Sequence, residues 1–223
     1  MQAIFETAFD ILYLCSVVAI GVYMLVKGRE RQYKMAGAMA VLLGAGDAFH
    51  LVPRAIALCT TGLEAHATAL GVGKLVTSIT MTIFYVLLYT IWQERYGIRK
   101  KGLTYTIWGL AVLRVILCLF PQNRWLVYQG PLSWGIYRNI PFALMGLLVI
   151  ALFHQQAKRG QDRHFRFMWL AVLLSFGFYI PVVLFAEAVP LIGMLMIPKT
   201  LAYVWAICMP LTSMLEANGK VGK

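Results

Sequence analysis

Seven apolar runs, each about as long as a membrane-spanning helix, alternate along this chain with short polar connections. They predict helices over residues 4–26, 35–56, 69–92, 103–120, 140–154, 167–187 and 191–215. A span needs about 20 apolar residues, so seven spans use most of the 223 residues. The pattern predicts an all-α, polytopic membrane protein in which residues 1–223 form a single seven-helix bundle.

The composition agrees with this interpretation. Hydrophobic residues make up 61% of the chain, charged residues 13%, and the mean hydropathy is +0.73. Soluble domains usually carry about 25% charged residues. The surplus apolar surface indicates contact with membrane lipids.

The net charge of +11 is distributed as a topology signal. Of twenty Lys and Arg residues, fourteen lie in clusters after helices one, three, five and seven. Cytoplasmic loops collect Lys and Arg, which predicts an outside N-terminus and a cytoplasmic C-terminus in the cell membrane. The basic clusters are not interleaved with exposed aromatic residues, so we expect no nucleic-acid partner.

The stretch 44–54 places ionisable groups inside helix two. Asp47, His50 and Arg54 are spaced i, i+3 and i+7, so they share one helix face. Because intramembrane charge is costly, such a face points into a bundle or a water-filled cavity. These three residues therefore indicate a site.

Ionisable residues in the other spans follow the same trend. At about 1.5 Å per residue, all of them lie at the midplane or in the predicted outer half, which favours a polar cavity that opens outward. They are Glu6, Asp10, Lys74, Arg114, Arg138, Glu187 and Lys199.

Neutral residues extend the site. Lys74, Thr77, Ser78, Met81 and Tyr85 share a face of helix three, although small hydroxyl residues also commonly pack helices. Pro181 and Pro198 are expected to break backbone hydrogen bonds in the middle of helices six and seven. The predicted binding residues are Asp47, His50, Arg54, Lys74, Ser78, Arg114, Arg138, Tyr179, Lys199 and Tyr203.

The favoured hypothesis is a site that binds, transports or senses a small charged solute or a lipid headgroup. The cations would hold an acid group and Asp47 a cation or proton, with His50 as a pH-sensitive group and the loop 121–139 as a lid. A structural alternative is an ion-pair network, because the five cations Arg54, Lys74, Arg114, Arg138 and Lys199 nearly balance the four carboxylates Glu6, Asp10, Asp47 and Glu187.

A second class is an intramembrane hydrolase that uses Asp47 and His50, with Ser78 or water as the nucleophile. The order Gly46-Asp47 followed by His50 resembles small membrane lysolipid hydrolases. A catalytic zinc site needs about three protein ligands, and with one buried histidine we expect no metal. The four cysteines form no CxxC pair; Cys59 and Cys118 could pair, but free thiols are favoured.

A third class is a retinal photoreceptor. Seven spans, Lys199 in helix seven and the sequence 178–181 (Phe-Tyr-Ile-Pro) resemble microbial rhodopsins. That resemblance implies a retinal Schiff base on Lys199 and carboxylate counterions on helices three and seven. Helix three carries no acid and helix seven none near Lys199, so Asp47 would have to substitute. The sequence leaves the cofactor and the reaction open.

Overall fold

The computed structural model describes residues 2–60, 62–127, 130–186 and 189–221, and within these ranges it is helical, with no strand. All seven long helices are long and apolar enough to cross a membrane, which confirms the predicted seven-helix architecture. They are α1 (Gln2–Lys27), α2 (Arg31–Cys59), α3 (Ala67–Tyr96), α4 (Lys101–Leu119), α5 (Leu132–Lys158), α6 (Met168–Phe185) and α7 (Met196–Val221).

Two boundaries differ from the expectation in ways that matter for the site. The fifth helix begins at Leu132 rather than at residue 140. Its first turns tolerate the polar residues Arg138 and Asn139 because both border a cavity. The seventh helix begins at Met196 after a 3-10 segment, Pro190–Leu195. Pro198 is therefore in the first turn, where a missing N–H breaks no helical bond, and the prediction that it interrupts mid-helix was wrong; Pro181 does lie inside α6.

The helices form a closed bundle. α2 packs against α1 and α3, α6 packs against α5 and α7, and α4 bridges α3 and α5. α7 returns to contact α1 and α2. Large apolar side chains such as Leu12, Ile11 and Leu119 are exposed around the outside, as expected of a surface that faces lipid.

One end of the bundle gathers the basic connections, and we call it the basic end. Arg31 at the start of α2 pairs with Glu94 near the end of α3, with 3.3 Å between Nη1 and Oε1. Glu216 in α7 contacts His164, in the α5–α6 connection, at 2.7 Å. The other end, which carries the start of α1 and the α2–α3, α4–α5 and α6–α7 connections, is the distal end.

A mostly buried ion pair closes the basic end. Arg95 of α3 donates through Nε and Nη2 to both carboxylate oxygens of Asp162, and Tyr96 donates to Asp162 at 2.8 Å. Arg95 also donates to Ser213 of α7 at 3.1 Å and lies 4.1 Å above the Phe165 ring. Burial alone would raise the pKa of the Asp162 carboxyl, but the hydrogen bonds from Arg95 and Tyr96 outweigh it and hold the pKa below its usual value.

Aromatic side chains of α3 fill the middle of the bundle. Phe84, Tyr85, Tyr89 and Trp92 are buried, and Tyr89 stacks on Trp92 with 6.1 Å between ring centroids. This dry layer separates the ion pair at the basic end from the polar groups of the distal half. The four cysteines are free, with Cys118 buried and Cys59 exposed.

Candidate functional site

A cavity of about 430 Å³ lies among the helices of the distal half, and all ten predicted binding residues line it. The helices bring together residues from α2, α3, α4, α5, α6 and α7 that are far apart in sequence. Glu6 and Asp10 of α1 also border the cavity. Glu187 lies outside the described residues. A volume of this size suits a small molecule.

The α1–α2 side of the cavity carries the acidic groups. Tyr13 of α1 donates a 2.7 Å hydrogen bond to Oδ2 of Asp47. Arg54 pairs with Glu6, with 3.0 Å between Nη2 and Oε2. Both contacts join α1 to α2, so this wall is held by one charged pair and one hydrogen-bonded carboxylate.

The α3 side contributes backbone-anchored polar groups. The His50 imidazole donates from Nδ1 to the carbonyl of Leu70 at 3.3 Å, since a carbonyl can only accept. Ser78 donates to the carbonyl of Lys74, one turn earlier, at 2.7 Å. The hydroxyl of Ser78 is thus used within α3, as expected for a residue that packs helices.

Close contact between α2 and α3 fixes the position of His50. A Cβ on Gly73 would lie 2.7 Å from the Cα of His50 and would also meet the carbonyl of Phe49. Backbone atoms cannot move aside as a side chain can, so this approach requires a glycine. Gly73 therefore sets the depth at which α2 presents its polar face.

Arg114 of α4 is the most buried charge in the cavity wall, with 2% of its surface exposed. Its guanidinium lies over the Phe142 ring, 3.4 Å from Cζ to the centroid. The Nε and Nη1 atoms are buried and have no hydrogen-bond partner among the described residues. Buried polar groups are normally hydrogen-bonded, so this arginine is an exception that requires an explanation.

The α4–α5 connection positions Arg138. Asn123 donates to the carbonyls of Leu117 and Phe120, at 2.7 and 2.9 Å, and so caps the end of α4. The Oδ1 of Asn123 accepts a 2.9 Å hydrogen bond from Arg138, whose guanidinium lies 4.4 Å above the Trp125 ring. The lid predicted over 121–139 is thus much shorter, since α5 begins at Leu132.

Lys199 enters the cavity from α7. Its side chain is buried, and its ammonium lies 4.9 Å from the Tyr179 ring centroid and 5.5 Å from that of Tyr203. Asp47 and Arg114 are the charged groups that interact with it electrostatically. Lys199 therefore stands between the acidic α1–α2 wall and the cationic α4–α5 wall.

Basic side chains outnumber acidic ones among the described residues that line the cavity. Six of these described residues are basic and three are acidic. The three acidic residues come from α1 and α2. The basic residues are Arg54, Lys74, Arg114, Arg124, Arg138 and Lys199.

The site lacks two features of the hydrolase alternative in the described part of the chain. Ser78 bonds to the Lys74 carbonyl and His50 to the Leu70 carbonyl, so the nucleophile and the base are not joined to each other. The described residues contain no group of three His, Cys, Asp or Glu side chains that could hold a metal ion.

Four residues of the site were not expected from the sequence. Tyr13, Asn123, Trp125 and Phe142 are neutral, and nothing in their spacing distinguishes them from packing or interfacial residues. The asparagine gave the best available signal, because it follows the end of a predicted helix at a Pro-bearing turn. No family model, curated protein or solved structure matches this chain.

Proposed function

We propose that this chain is a multi-pass protein of the cell membrane, with its N-terminus outside, that binds a small charged solute or a lipid headgroup in the distal cavity. The ligand enters from the outer side, and transport or sensing follows from that binding. The basic end, which gathers the Lys- and Arg-rich connections after α1, α3 and α5, then faces the cytoplasm.

One observation carries the proposal: ten polar or charged residues chosen from the sequence border a single cavity of ligand size. A structural ion-pair network would pair its charges within the bundle. In the described residues, Arg54 and Glu6 form such a pair, whereas Arg114, Arg138 and Lys199 have no carboxylate within ion-pair distance. Cations inside a bundle are costly unless an anion pairs with them, and an anionic ligand would supply the partner that these three cations lack among the described carboxylates.

The test is native mass spectrometry of gently purified protein, followed by denaturing spectra. We expect a retained small molecule or lipid that is lost on denaturation. Asp47→Asn and Lys199→Met each remove a charge from the cavity wall and should lower the occupancy by about tenfold, the effect of losing one charge-assisted hydrogen bond. Lys158→Met, an exposed lysine at the basic end, is the matched control and should retain the ligand.

Equal ligand retention by wild type, Asp47→Asn and Lys199→Met would contradict this site. Loss of folding in Lys199→Met, with Asp47→Asn also unfolded, would favour the structural network instead. A covalent retinal-sized adduct on Lys199 would replace the proposal with the photoreceptor.

A further inference from the structure

Two unpartnered nitrogens of the Arg114 guanidinium point to the kind of group that the cavity accepts. The side chain is 2% exposed, lines the cavity, and leaves two nitrogens without a hydrogen-bond partner among the described residues. The Phe142 ring covers one face of the guanidinium, and its N–H groups donate in the plane, along its edges. Such an edge matches the oxygens of a carboxylate or a phosphate.

Two more cations converge on the same wall. Arg138 lies one helical turn before Phe142 on α5 and is held by a neutral partner, Asn123. The Tyr179 ring packs edge-on against Phe142, with 6.3 Å between centroids, and Lys199 lies over Tyr179. Arg114 and Lys199 thus share an aromatic floor, and Arg138 lines the same cavity from the helix that carries Phe142.

The charge on this wall sets the charge of its ligand. Lys199 interacts with both Asp47 and Arg114, and Asp47 offsets one positive charge. Arg114 and Arg138 then remain as two cations, with no carboxylate within ion-pair distance in the described ranges. A phosphate monoester carries about −1.5 to −2 charge near pH 7, which complements this excess better than a single carboxylate does.

We infer that Arg114, Arg138 and Lys199 form a subsite for a phosphate monoester group, presented either by a small soluble molecule or by a lipid headgroup. This inference rests on the proposed binding function and adds the class of ligand.

The experiment measures binding of defined probes to the full-length protein in phosphate-free buffer. The soluble probes are inorganic phosphate, glycerol 3-phosphate and succinate, a dianion without phosphorus. The lipid probe is phosphatidic acid in nanodiscs, compared with phosphatidylglycerol, whose phosphodiester carries one charge.

The variants are Arg114→Gln, Arg138→Gln and Arg114→Lys, with Arg163→Gln, an exposed arginine at the basic end, as the control. We expect glycerol 3-phosphate or phosphatidic acid to bind wild type and the control, and the affinity to fall about 10- to 100-fold in each glutamine variant. Arg114→Lys should recover part of the loss, because the charge remains while the fork is lost. If Arg114→Gln does not fold, Arg138→Gln supplies the same comparison, because the Arg138 side chain is only partly buried.

The results separate the ligand sources and the two proposals. Binding of the soluble ester identifies a solute, and binding of phosphatidic acid alone identifies a headgroup; both support the subsite. Succinate binding as tightly as glycerol 3-phosphate, or unchanged phosphate affinity in both glutamine variants, overturns the subsite. If no phosphate probe binds while native spectra still show a ligand that depends on Asp47, the subsite fails and the binding function stands; if no ligand is found either, both fail.

Discussion

Removing the carboxylate charge of Asp162 should destabilise the bundle far more than removing a similar charge on its surface. Asp162 accepts two hydrogen bonds from Arg95, and the two side chains are 10% and 15% exposed. Taking one partner from a buried pair costs about 3–5 kcal/mol, because the other charge is left uncompensated. At roughly 2–4 °C per kcal/mol for a chain of this size, Asp162→Asn should lower the melting temperature by roughly 6–20 °C.

Glu94→Gln is the matched control. Glu94 also pairs with arginines at the basic end, but Arg31 and Arg99 are 71% and 74% exposed. Exposed pairs contribute at most about 1 kcal/mol, so this variant should melt within about 2–4 °C of wild type. The assay is thermal unfolding in detergent with a fluorogenic maleimide. It is run on a background in which Cys15, Cys59 and Cys208 are replaced by alanine, so that the signal reports exposure of the buried Cys118 thiol.

The pH dependence of the melting temperature provides an independent check that the ionised Asp162 carboxylate stabilises the bundle. The Asp162 pKa is held below the ordinary value of 3.8, so its contribution to stability is complete above that value and is lost as the pH falls through the lower, folded-state pKa. The difference in melting temperature between wild type and Asp162→Asn should therefore persist from neutral pH to about pH 4 and become smaller in stronger acid. A gap that widens on acidification, or equal melting temperatures for Asp162→Asn and Glu94→Gln at neutral pH, would refute the reasoning.

Two further changes test how the cavity walls are held. Gly73→Ala places a Cβ against the backbone of α2 and should destabilise the protein by about 1–3 kcal/mol through overpacking. The control Gly102→Ala has open space around its Cβ and should be neutral or stabilising by about 0.5–1 kcal/mol. Thermal unfolding of the two variants checks this, and equal melting temperatures would contradict it. Tyr13→Phe removes the donor to Asp47 and should cost about 1–3 kcal/mol, measured in the same assay, while an unchanged melting temperature would mean that Asp47 does not depend on this hydrogen bond.

The helices and the candidate residues were predictable for a common physical reason. Apolar runs of span length are rare outside membranes, and a charge within such a run cannot face lipid cheaply. Asp47, Arg114 and Lys199 were therefore visible as exceptions to their surroundings. The fifth helix was predicted to begin late because Arg138 and Asn139 read as a polar loop, although a helix face that borders a cavity tolerates both.

Hydrogen-bond partners were not predictable in the same way. Tyr13 stands among apolar residues of α1 as an interfacial or core tyrosine would, and its contact with Asp47 depends on how α1 is rotated against α2. The role of Asn123 depends on the turn that brings it under the end of α4 and beside Arg138. Rotation of a helix and the path of a turn are set by tertiary packing, which periodicity alone does not determine.

The positions of the charged residues, and not only their numbers, bear on the choice between a structural ion-pair network and a binding site. Five cations and four carboxylates within the spans suggest a bundle that neutralises itself. The described carboxylates of the cavity, however, project from α1 and α2, whereas Arg114 and Arg138 project from α4 and α5. Both groups line the same cavity of about 430 Å³, and the ion pair recorded among these residues, Arg54 with Glu6, lies within the α1–α2 side. Similar numbers of cations and carboxylates therefore do not imply that Arg114 and Arg138 are paired. A phosphate-bearing ligand would neutralise the positive charge that Arg114 and Arg138 place on the α4–α5 side of the cavity.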